Sequence, residues 1–384
     1  MPKTILRLLS ALLCPALLAG VFALPSAAEG QLPAISADCA ILMDADSGRV
    51  IGAKNADQRH AMASTTKIMT ALTAMREVEL DRVVEIAPAA VGIEGSSVYL
   101  YAGEKLTVED LLYAMLLESA NDAAAAIAVA ISGSIEAFAD VMNETARTLG
   151  LTNTHFTNPH GLWDADHYTT ARELGLITMH ALRMPAFREI VSTYKHTIPL
   201  NQTEGVRLLL NHNKMLKLYD GAIGVKTGFT RKSGRCLVSA AERDGVRLIA
   251  VTLNAPDDWR DHTAMLDYGF SVSTHHVLGS AGELTYTVPV VGGTVDCVTV
   301  FNTAPLAVTL PADAPTPTLT VELPRMLYAP TAAGCVVGRL VWHSGDAIVG
   351  ESPLVTAYPT EQAAAEHPLV DWLKHLFGRS IRHQ

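Results

Sequence analysis

The order of apolar and polar residues predicts strands at both ends of the first 270 positions and helices between them. Short apolar runs bounded by Gly, Asp or Asn indicate strands, and apolar residues spaced three and four apart indicate helices. The predicted strands cover 39–44, 49–54, 221–230, 235–241 and 246–253. The predicted helices cover 64–75, 107–118, 123–131, 135–149, 170–182, 184–191 and 259–266. We therefore expect an α+β fold, in which one antiparallel five-stranded sheet carries helices packed on it.

The composition changes near residue 275. Residues 283–358 are rich in Val, Thr and Pro and form short alternating runs, which predicts a small all-β domain. The preceding domain is assigned to residues 36–275. Because the all-β region carries no visible catalytic group, we interpret it as a spacer or docking module.

The last residues, 366–384, show a third pattern. Apolar residues that include Trp372 and Phe377 share one helical face, and Lys374 and Arg379 lie on the other. A helix of this length is too short to span a bilayer, but an amphipathic helix with a basic face can lie in the membrane surface. We expect a membrane anchor here; the alternative is a helix that packs on its own protein.

The first 28 residues resemble a secretory signal peptide. Lys3 and Arg7 precede a mostly apolar stretch, and the small residues 26–28 suit a cleavage site. The alternative is an uncleaved membrane anchor. We expect export across the cytoplasmic membrane.

Charge and cysteine content narrow the function classes. Removal of the leader leaves 27 Lys and Arg against 39 Asp and Glu, a net charge of −12 that disfavours nucleic acid as a partner. The remaining cysteines, at 39, 236, 297 and 335, are not spaced as metal ligands. Export permits a disulfide, for which Cys297 and Cys335 are the best pair, but free buried thiols are the expected state.

The strongest chemical signal is the segment 64–67, Ser-Thr-Thr-Lys, at a predicted helix start. Ser64 and Lys67 are neighbours on one face of the helix, which continues with apolar residues. A lysine among apolar positions is partly desolvated, which favours the neutral amine, and a neutral amine can accept the proton of an adjacent hydroxyl. The alternative is a capping serine followed by a lysine that reaches water.

Two further motifs follow at suitable distances. Ser119-Ala120-Asn121 interrupts two apolar helices, so its polar side chains should point inward, although they could simply cap the helices. Lys226-Thr227-Gly228 lies on a predicted strand. The three motifs together are the combination found in penicillin-binding proteins and class A β-lactamases.

His155, His160 and His167 share one loop, which raises the question of a metal site. They have no Cys or clear carboxylate partner, so we interpret them as residues that structure the loop. We expect neither a metal nor a cofactor.

Residues 36–270 resemble the low-molecular-mass penicillin-binding proteins that are serine-type D-alanyl-D-alanine carboxypeptidases. The three motifs carry the resemblance, together with 158–162 (Asn-Pro-His-Gly-Leu), 167–172 and 224–230. The resemblance implies a β-lactamase/transpeptidase-like fold and attachment to the outer face of the cytoplasmic membrane. It also implies peptidoglycan stem peptides ending in D-Ala-D-Ala as substrates and β-lactams as inhibitors.

The resemblance also implies a role for each motif residue. Ser64 is expected to be the acylated nucleophile, Lys67 its base and Ser119 a proton relay to the leaving group. The other expected contacts concern substrate binding. Asn121 is expected to bind the substrate peptide and to orient Lys67, whereas Lys226 and Thr227 are expected to bind the terminal carboxylate. Gly228 is expected to leave room for the extended substrate, and the backbone N–H groups of Ser64 and Phe229 are expected to bind the oxyanion.

Other functions remain open at this stage. A β-lactamase on the same scaffold would need an additional glutamate as deacylation base, and no convincing motif for it lies between 153 and 224. A non-catalytic β-lactam sensor or wall-binding protein is disfavoured because all three motifs are complete. Endopeptidase cleavage of crosslinks is a variant that the sequence does not exclude.

Overall fold

The computed structural model describes residues 30–200 and 205–363. The predicted signal peptide, 1–28, and the predicted anchor helix, 366–384, lie outside these residues. The strands before residue 260 are β1 (Gly30–Gln31), β2 (Cys39–Asp44), β3 (Val50–Lys54), β4 (Val83–Glu85), β5 (Lys105–Thr107), β6 (Lys195–Pro199), β7 (Val206–Leu210), β8 (Ala222–Thr230), β9 (Gly234–Arg243) and β10 (Val246–Leu253). The helices are α1 (Lys67–Glu77), α2 (Val108–Leu117), α3 (Asn121–Ser132), α4 (Ile135–Thr148), α5 (Ala171–Leu182), α6 (Pro185–Ser192), α7 (Met215–Leu218) and α8 (Asp258–Ser271).

The main sheet joins strands from both ends of this region. Within the described residues its order is β1-β3-β2-β10-β9-β8, and β2, β3, β8, β9 and β10 pair antiparallel. The predicted α+β class and the five antiparallel strands are confirmed. The prediction missed β1, a two-residue strand that pairs parallel with β3, because it is too short to show an alternating pattern.

Both faces of this sheet are covered. On β10, Leu248 and Ala250 belong to a hydrophobic cluster under α8, whereas Ile249 and Val251 belong to the larger cluster on the opposite face. Successive strand residues point to opposite faces, so a strand buried on both sides must be apolar throughout. The larger cluster also contains residues of α1 to α6, and the helical region therefore packs on one face of the sheet.

Local signals fix several helix starts. At the start of α2, Thr107 Oγ1 accepts from Asp110 N at 3.0 Å, and Asp110 Oδ2 accepts from Thr107 N at 3.0 Å. Thr170 Oγ1 likewise accepts from Glu173 N at the start of α5. These bonds satisfy amide groups that the first helical turn leaves without partners.

Thr66, Thr70 and Thr73 share one polar face at the start of α1, a pattern that periodicity alone would assign to solvent. Thr66, Thr70 and Thr73 are fully buried rather than facing solvent. Thr70 Oγ1 donates to Pro159 O at 2.6 Å, because the loop that follows α4 covers this side of the helix. Sequence periodicity identified two faces but could not show that both are covered.

Two small sheets were not predicted. β4 pairs with β5, and β6 pairs with β7 as a hairpin. Arg207 on β7 ties this hairpin to the 98–104 segment: it pairs with the buried Glu104 and donates to Val98 O at 3.0 Å. A buried ion pair of this kind needs partners from distant parts of the chain, which sequence patterns do not reveal.

The region after α8 is built from strands, as the composition predicts. They are β11 (Ser273–Gly279), β12 (Thr285–Val291), β13 (Cys297–Asn302), β14 (Leu306–Pro311), β15 (Thr318–Glu322), β16 (Leu327–Tyr328), β17 (Val336–Ser344) and β18 (Ala347–Thr356). β11 begins before residue 275 and pairs with β14, and the other strands form a sheet in the order β15-β17-β18-β13-β12-β16.

The cysteines are free among the described residues. Cys39 and Cys236 are buried, as expected, whereas Cys297 and Cys335 are exposed and do not form the disulfide considered for them. The expectation of burial failed for these two because each lies at the margin of a strand in a small domain with little core.

No single helix in the described ranges has the length and apolar run needed to cross a bilayer; α3 and α4 reach that criterion only as a pair, bent by 82°.

His262 on α8 should make stability depend on pH. It is fully buried, its Nε2 lies 2.9 Å from Thr252 Oγ1, and burial lowers its pKa to about 3. The unfolded chain binds a proton there below pH 6.5 and the folded chain does not, so stability falls as the pH drops below 6.5. We expect His262 alone to cost about 2 kcal/mol of unfolding free energy at pH 5 relative to pH 7.5. Urea denaturation at the two pH values, compared with His262→Gln, measures this; an equal pH dependence in both proteins would contradict it.

Candidate active site

Ser64 lies in a short 3₁₀ turn, Ala63–Thr66, that leads directly into α1. Ala63 has φ +47°, in the left-handed region that non-glycine residues rarely adopt. The side chains of this turn are tied to its own backbone, since Thr65 Oγ1 donates to Met62 O and Thr66 Oγ1 donates to Ala63 O. The turn therefore holds Ser64 in a defined position at the start of the helix.

Lys67 brings the first two motifs together. Its side chain is fully buried, and its Nζ lies 2.9 Å from Ser64 Oγ, 2.6 Å from Asn121 Oδ1 and 2.6 Å from His160 O. The sequence prediction that Lys67 does not reach water and contacts the Ser64 hydroxyl is thus met in the geometry.

The three contacts of Lys67 differ in what they can accept. The oxygens of Asn121 and His160 are carbonyl acceptors, so each takes an N–H hydrogen. A neutral amine has two hydrogens and one lone pair. When the carbonyl groups bind both hydrogens, the lone pair remains for the Ser64 hydroxyl, which is the arrangement that proton abstraction requires.

The surroundings also favour the neutral amine. Burial lowers the pKa of Lys67 well below its usual value, and the positive charge of Lys226 lowers it further. The carboxylate of Asp122 acts in the opposite direction. Desolvation is the largest of these effects, because an ammonium group without water loses its hydration energy.

The second motif forms the turn between α2 and α3. Ser119 has φ +60°, and Ser119 and Asn121 are both buried. Asn121 Oδ1 binds Lys67 while its Nδ2 donates to Glu94 O at 2.5 Å, which fixes the orientation of the amide. The polar side chains point inward as predicted.

Asp122 holds the segment that borders the second motif. Its carboxylate accepts from Ser97 Oγ at 2.6 Å and from Leu100 N at 3.0 Å. The alternative that these residues simply cap the helix is wrong for Ser119 and Asn121, because the N-cap residue of α3 is Ala120 and no side chain caps it.

The third motif lies on β8, which is an outer strand of the main sheet at the edge opposite β1 in the described region. Lys226 is buried, its Nζ donates to Thr227 O at 3.0 Å, and desolvation lowers its pKa to about 7. Thr227 is partly exposed and the Phe229 side chain is 66% exposed. On this strand Thr227 and Phe229 are therefore accessible to solvent, whereas Lys226 is not.

Gly228 passes directly beside the Ser64 turn. A Cβ atom at this position would lie 3.1 Å from each of Met62 O, Ser64 N and Thr65 N. A side chain would have to shift β8 or the turn by a few tenths of an ångström, so the absence of a Cβ atom favours this close approach. The backbones of Ser64 and of β8, assigned to the oxyanion site by resemblance, are thus adjacent.

The loop that follows α4 supports the site in a way that the sequence analysis missed. Thr157 N donates to His167 Nδ1, so the proton of this neutral imidazole is on Nε2, which lies 2.8 Å from Thr66 Oγ1. Thr66 Oγ1 in turn donates to Ala63 O. The interpretation of His167 as a residue that structures the loop is correct, but its action on the Ser64 turn was not foreseen.

His160 contributes through its backbone, and only sequence resemblance could have indicated it. Its carbonyl binds Lys67, while burial and the nearby Lys67 lower the pKa of its ring to about 3. Burial also lowers the pKa of His167 to about 4. In the part of the chain that the structure describes, no group of His, Cys, Asp and Glu side chains is arranged to hold a metal ion.

The chain is similar in sequence to a known protein family and to individual proteins. The sequence pattern of the Peptidase_S11 family, D-alanyl-D-alanine carboxypeptidase, matches residues 26–257. The chain is 31% identical over 352 residues to the D-alanyl-D-alanine carboxypeptidase DacF of Bacillus subtilis, covering 88% of this chain and 90% of that protein. It is 30% identical to DacA of Haemophilus influenzae, with 89% of each chain covered.

Solved structures show the same relationship. Penicillin-binding protein 5 from Haemophilus influenzae superposes with a TM-score of 0.68 at 29% identity, covering 87% of this chain and all of that one. The Streptomyces K15 DD-transpeptidase superposes with a TM-score of 0.60 at 34% identity and covers 63% of this chain and all of its own.

Gly161 offers a test of the support beneath Ser64. It has φ +87°, and a Cβ atom there would lie 2.0 Å from Ala63 O. Gly161→Ala should therefore displace the Ser64 turn and reduce acylation of the protein by a fluorescent penicillin by about 100-fold. Gly150→Ala is the matched control, since Gly150 has φ +75° but open space around its Cβ position.

Both alanine variants should lose about 1–2 kcal/mol of stability from backbone strain, measured by urea denaturation, and Gly161→Ala should lose more because of its overlap with Ala63 O. Only Gly161→Ala should also lose acylation rate in a folded protein. Equal acylation rates in the two variants would show that the Gly161 contact does not position Ser64.

Proposed function

Because the chain belongs to the Peptidase_S11 family of D-alanyl-D-alanine carboxypeptidases, we propose that Ser64 is the nucleophile with which it removes the terminal D-alanine from peptidoglycan stem peptides. The observation that carries the proposal is the buried Lys67 amine, 2.9 Å from Ser64 Oγ, whose two other contacts are carbonyl oxygens. Because the two carbonyl groups take the hydrogens of the neutral amine, its lone pair is left for the hydroxyl that it is to activate.

Acylation follows from this geometry. Lys67 takes the Ser64 proton as Ser64 Oγ attacks the carbonyl carbon of the penultimate D-alanine. The backbone N–H groups of Ser64 and Phe229 stabilise the oxyanion. As the peptide C–N bond breaks, Ser119 gives its proton to the leaving amine and regains one from Lys67. A water molecule then hydrolyses the ester on Ser64, with Lys67 again as base.

The third motif recognises the end of the substrate. Lys226 supplies positive charge and Thr227 a hydroxyl for the terminal carboxylate. Gly228 leaves room for an extended peptide to lie along the outer strand β8, and the Asn121 amide can bind the peptide from the opposite side of the cleft. A pKa of about 7 means that Lys226 is only partly charged at neutral pH, and an anionic substrate would favour its charged form.

β-Lactams fit the same mechanism. A β-lactam carries a strained amide and an adjacent carboxylate, so it meets Ser64, Lys67 and the Lys226–Thr227 pair as the peptide does. Acylation of Ser64 by penicillin is therefore part of the proposal.

We also propose that the protein acts at the outer face of the cytoplasmic membrane. The supporting features are the signal-peptide pattern of residues 1–28 and the apolar and basic faces of residues 366–384. In that location the catalytic cleft faces the cell wall, where stem peptides ending in D-Ala-D-Ala are found.

The function is tested by product release and by covalent labelling. We expect the purified protein to release D-alanine from a peptide ending in D-Ala-D-Ala and to bind fluorescent penicillin covalently. Ser64→Ala should abolish both activities, because no other hydroxyl contacts Lys67 in the described structure. Ser47→Ala, an exposed serine in the β2–β3 turn, is the control. Labelling that survives Ser64→Ala would show that the nucleophile is assigned to the wrong residue.

The membrane proposal is tested by deletion of residues 366–384. The truncated mature protein should appear in the soluble fraction while its rate of D-alanine release stays within about twofold of the full chain, because the anchor is separate from the catalytic residues. Sedimentation of the truncated protein with membranes would contradict the anchor. Substitution of Trp372 and Phe377 by Ala, with the basic residues kept, separates the apolar contribution from the charge.

A further inference from the structure

Glu118 lies between the end of α2 and Ser119, and its carboxylate contacts the last residue of β7 and the segment that follows it. Its Oε1 accepts from Leu210 N at 2.6 Å, and its Oε2 lies 3.0 Å from His212 Nε2. A third bond joins the same two segments, since His212 N donates to Leu117 O at 3.3 Å. The residue immediately before the second motif is thus fixed to a distant part of the chain.

The segment that Glu118 contacts is itself anchored. Asn211 is buried, and its Nδ2 donates to Val191 O and to Thr193 O, both at 3.1 Å. Its backbone N also donates to Tyr194 O. Glu118 is therefore hydrogen-bonded to a segment that is itself hydrogen-bonded to the end of α6 and the residues after it.

Ser119 needs such a support. It adopts φ +60°, a conformation that costs about 1–2 kcal/mol in a residue with a side chain. Among the described residues, no group is hydrogen-bonded to its hydroxyl, so the position of Oγ is set by the backbone of the turn. On the far side the turn is held by Asn121 N, which donates to Ser96 O at 2.7 Å.

We propose that Glu118 is a positioning residue for the reaction: it holds the backbone of Ser119 in the conformation from which the Ser119 hydroxyl delivers a proton to the leaving amine. The inference rests on the proposed function, because it assumes the proton-relay role of Ser119. The contribution of Glu118 is geometric: the carboxylate accepts a hydrogen bond from Leu210 N and lies against the ring of His212.

The effect of a misplaced Ser119 hydroxyl on the reaction rate depends on the leaving group of the substrate. Expulsion of an amine requires a proton in the transition state, whereas a thiolate leaves without one. A misplaced Ser119 should therefore slow the cleavage of a peptide and leave the cleavage of a thioester nearly unchanged. A general loss of structure would slow both.

The experiment uses two substrates with the same acyl-D-alanyl group, one ending in D-alanine and the other in D-thiolactate, so that both keep the terminal carboxylate. The values of kcat/KM are measured for wild type, Glu118→Ala, Glu118→Gln and Ser119→Ala. Glu104→Gln is the matched control, because Glu104 ties the same hairpin through Arg207 but is not adjacent to Ser119.

We expect Glu118→Ala to lower kcat/KM for the peptide by about 10- to 100-fold and for the thioester by less than about threefold. Glu118→Gln keeps an acceptor for Leu210 N and should restore most of the peptide activity. Ser119→Ala should show the same selectivity with a larger loss, and Glu104→Gln should leave the ratio of the two substrates unchanged.

Equal losses on both substrates in Glu118→Ala, a Gln variant as slow as the Ala variant, or a changed ratio in Glu104→Gln would overturn the positioning role. Absence of D-alanine release by the wild type, or equal losses for both substrates in Ser119→Ala, would instead overturn the proposed function or the role of Ser119. The two failures are therefore distinguishable.

Discussion

The arrangement of the candidate site depends on one constraint, which is the burial of the Lys67 amine inside the protein. Removing an ammonium group from water is unfavourable, and the protein meets this constraint by lowering the pKa of Lys67 and surrounding Nζ with polar partners. Those partners come from the 3₁₀ turn, from the break between α2 and α3 and from the loop after α4. The chain must bring these three segments to one point before the amine can be buried at all.

Several glycines and hydrogen bonds around Lys67 allow the three segments to come together. Gly228 lets β8 approach the Ser64 turn, and Gly161 lets the loop after α4 approach it from the other side. The chain from His167 to Thr66 to Ala63 O holds the turn, and the contacts of Glu118 and Asp122 support the second motif. The side chains of the three motifs are therefore held mainly by backbone positions, and side chains outside the motifs maintain those positions.

Several features of the fold could not be predicted because they depend on contacts between distant segments. The buried threonines of α1 look like a solvent-facing stripe until the loop after α4 is placed on them. The β6–β7 hairpin has exposed apolar residues on one face, including Val206 and Leu208, so its pattern does not match that of a half-buried strand. Its support comes from Arg207 and Glu104, which are far apart in the sequence.

The sequence by itself determined the α+β class, the five antiparallel strands of the main sheet and the three motifs, because periodicity, capping residues and the composition of each motif are local properties. It also indicated that Lys67 would be desolvated, since its neighbours on the helix face are apolar. Only the tertiary structure decided that the two hydrogens of the amine are bound by Asn121 and by the carbonyl of His160, and that Glu118 is anchored beside Ser119. These contacts join residues up to about a hundred positions apart, and no local pattern records which distant backbone group will meet a given side chain.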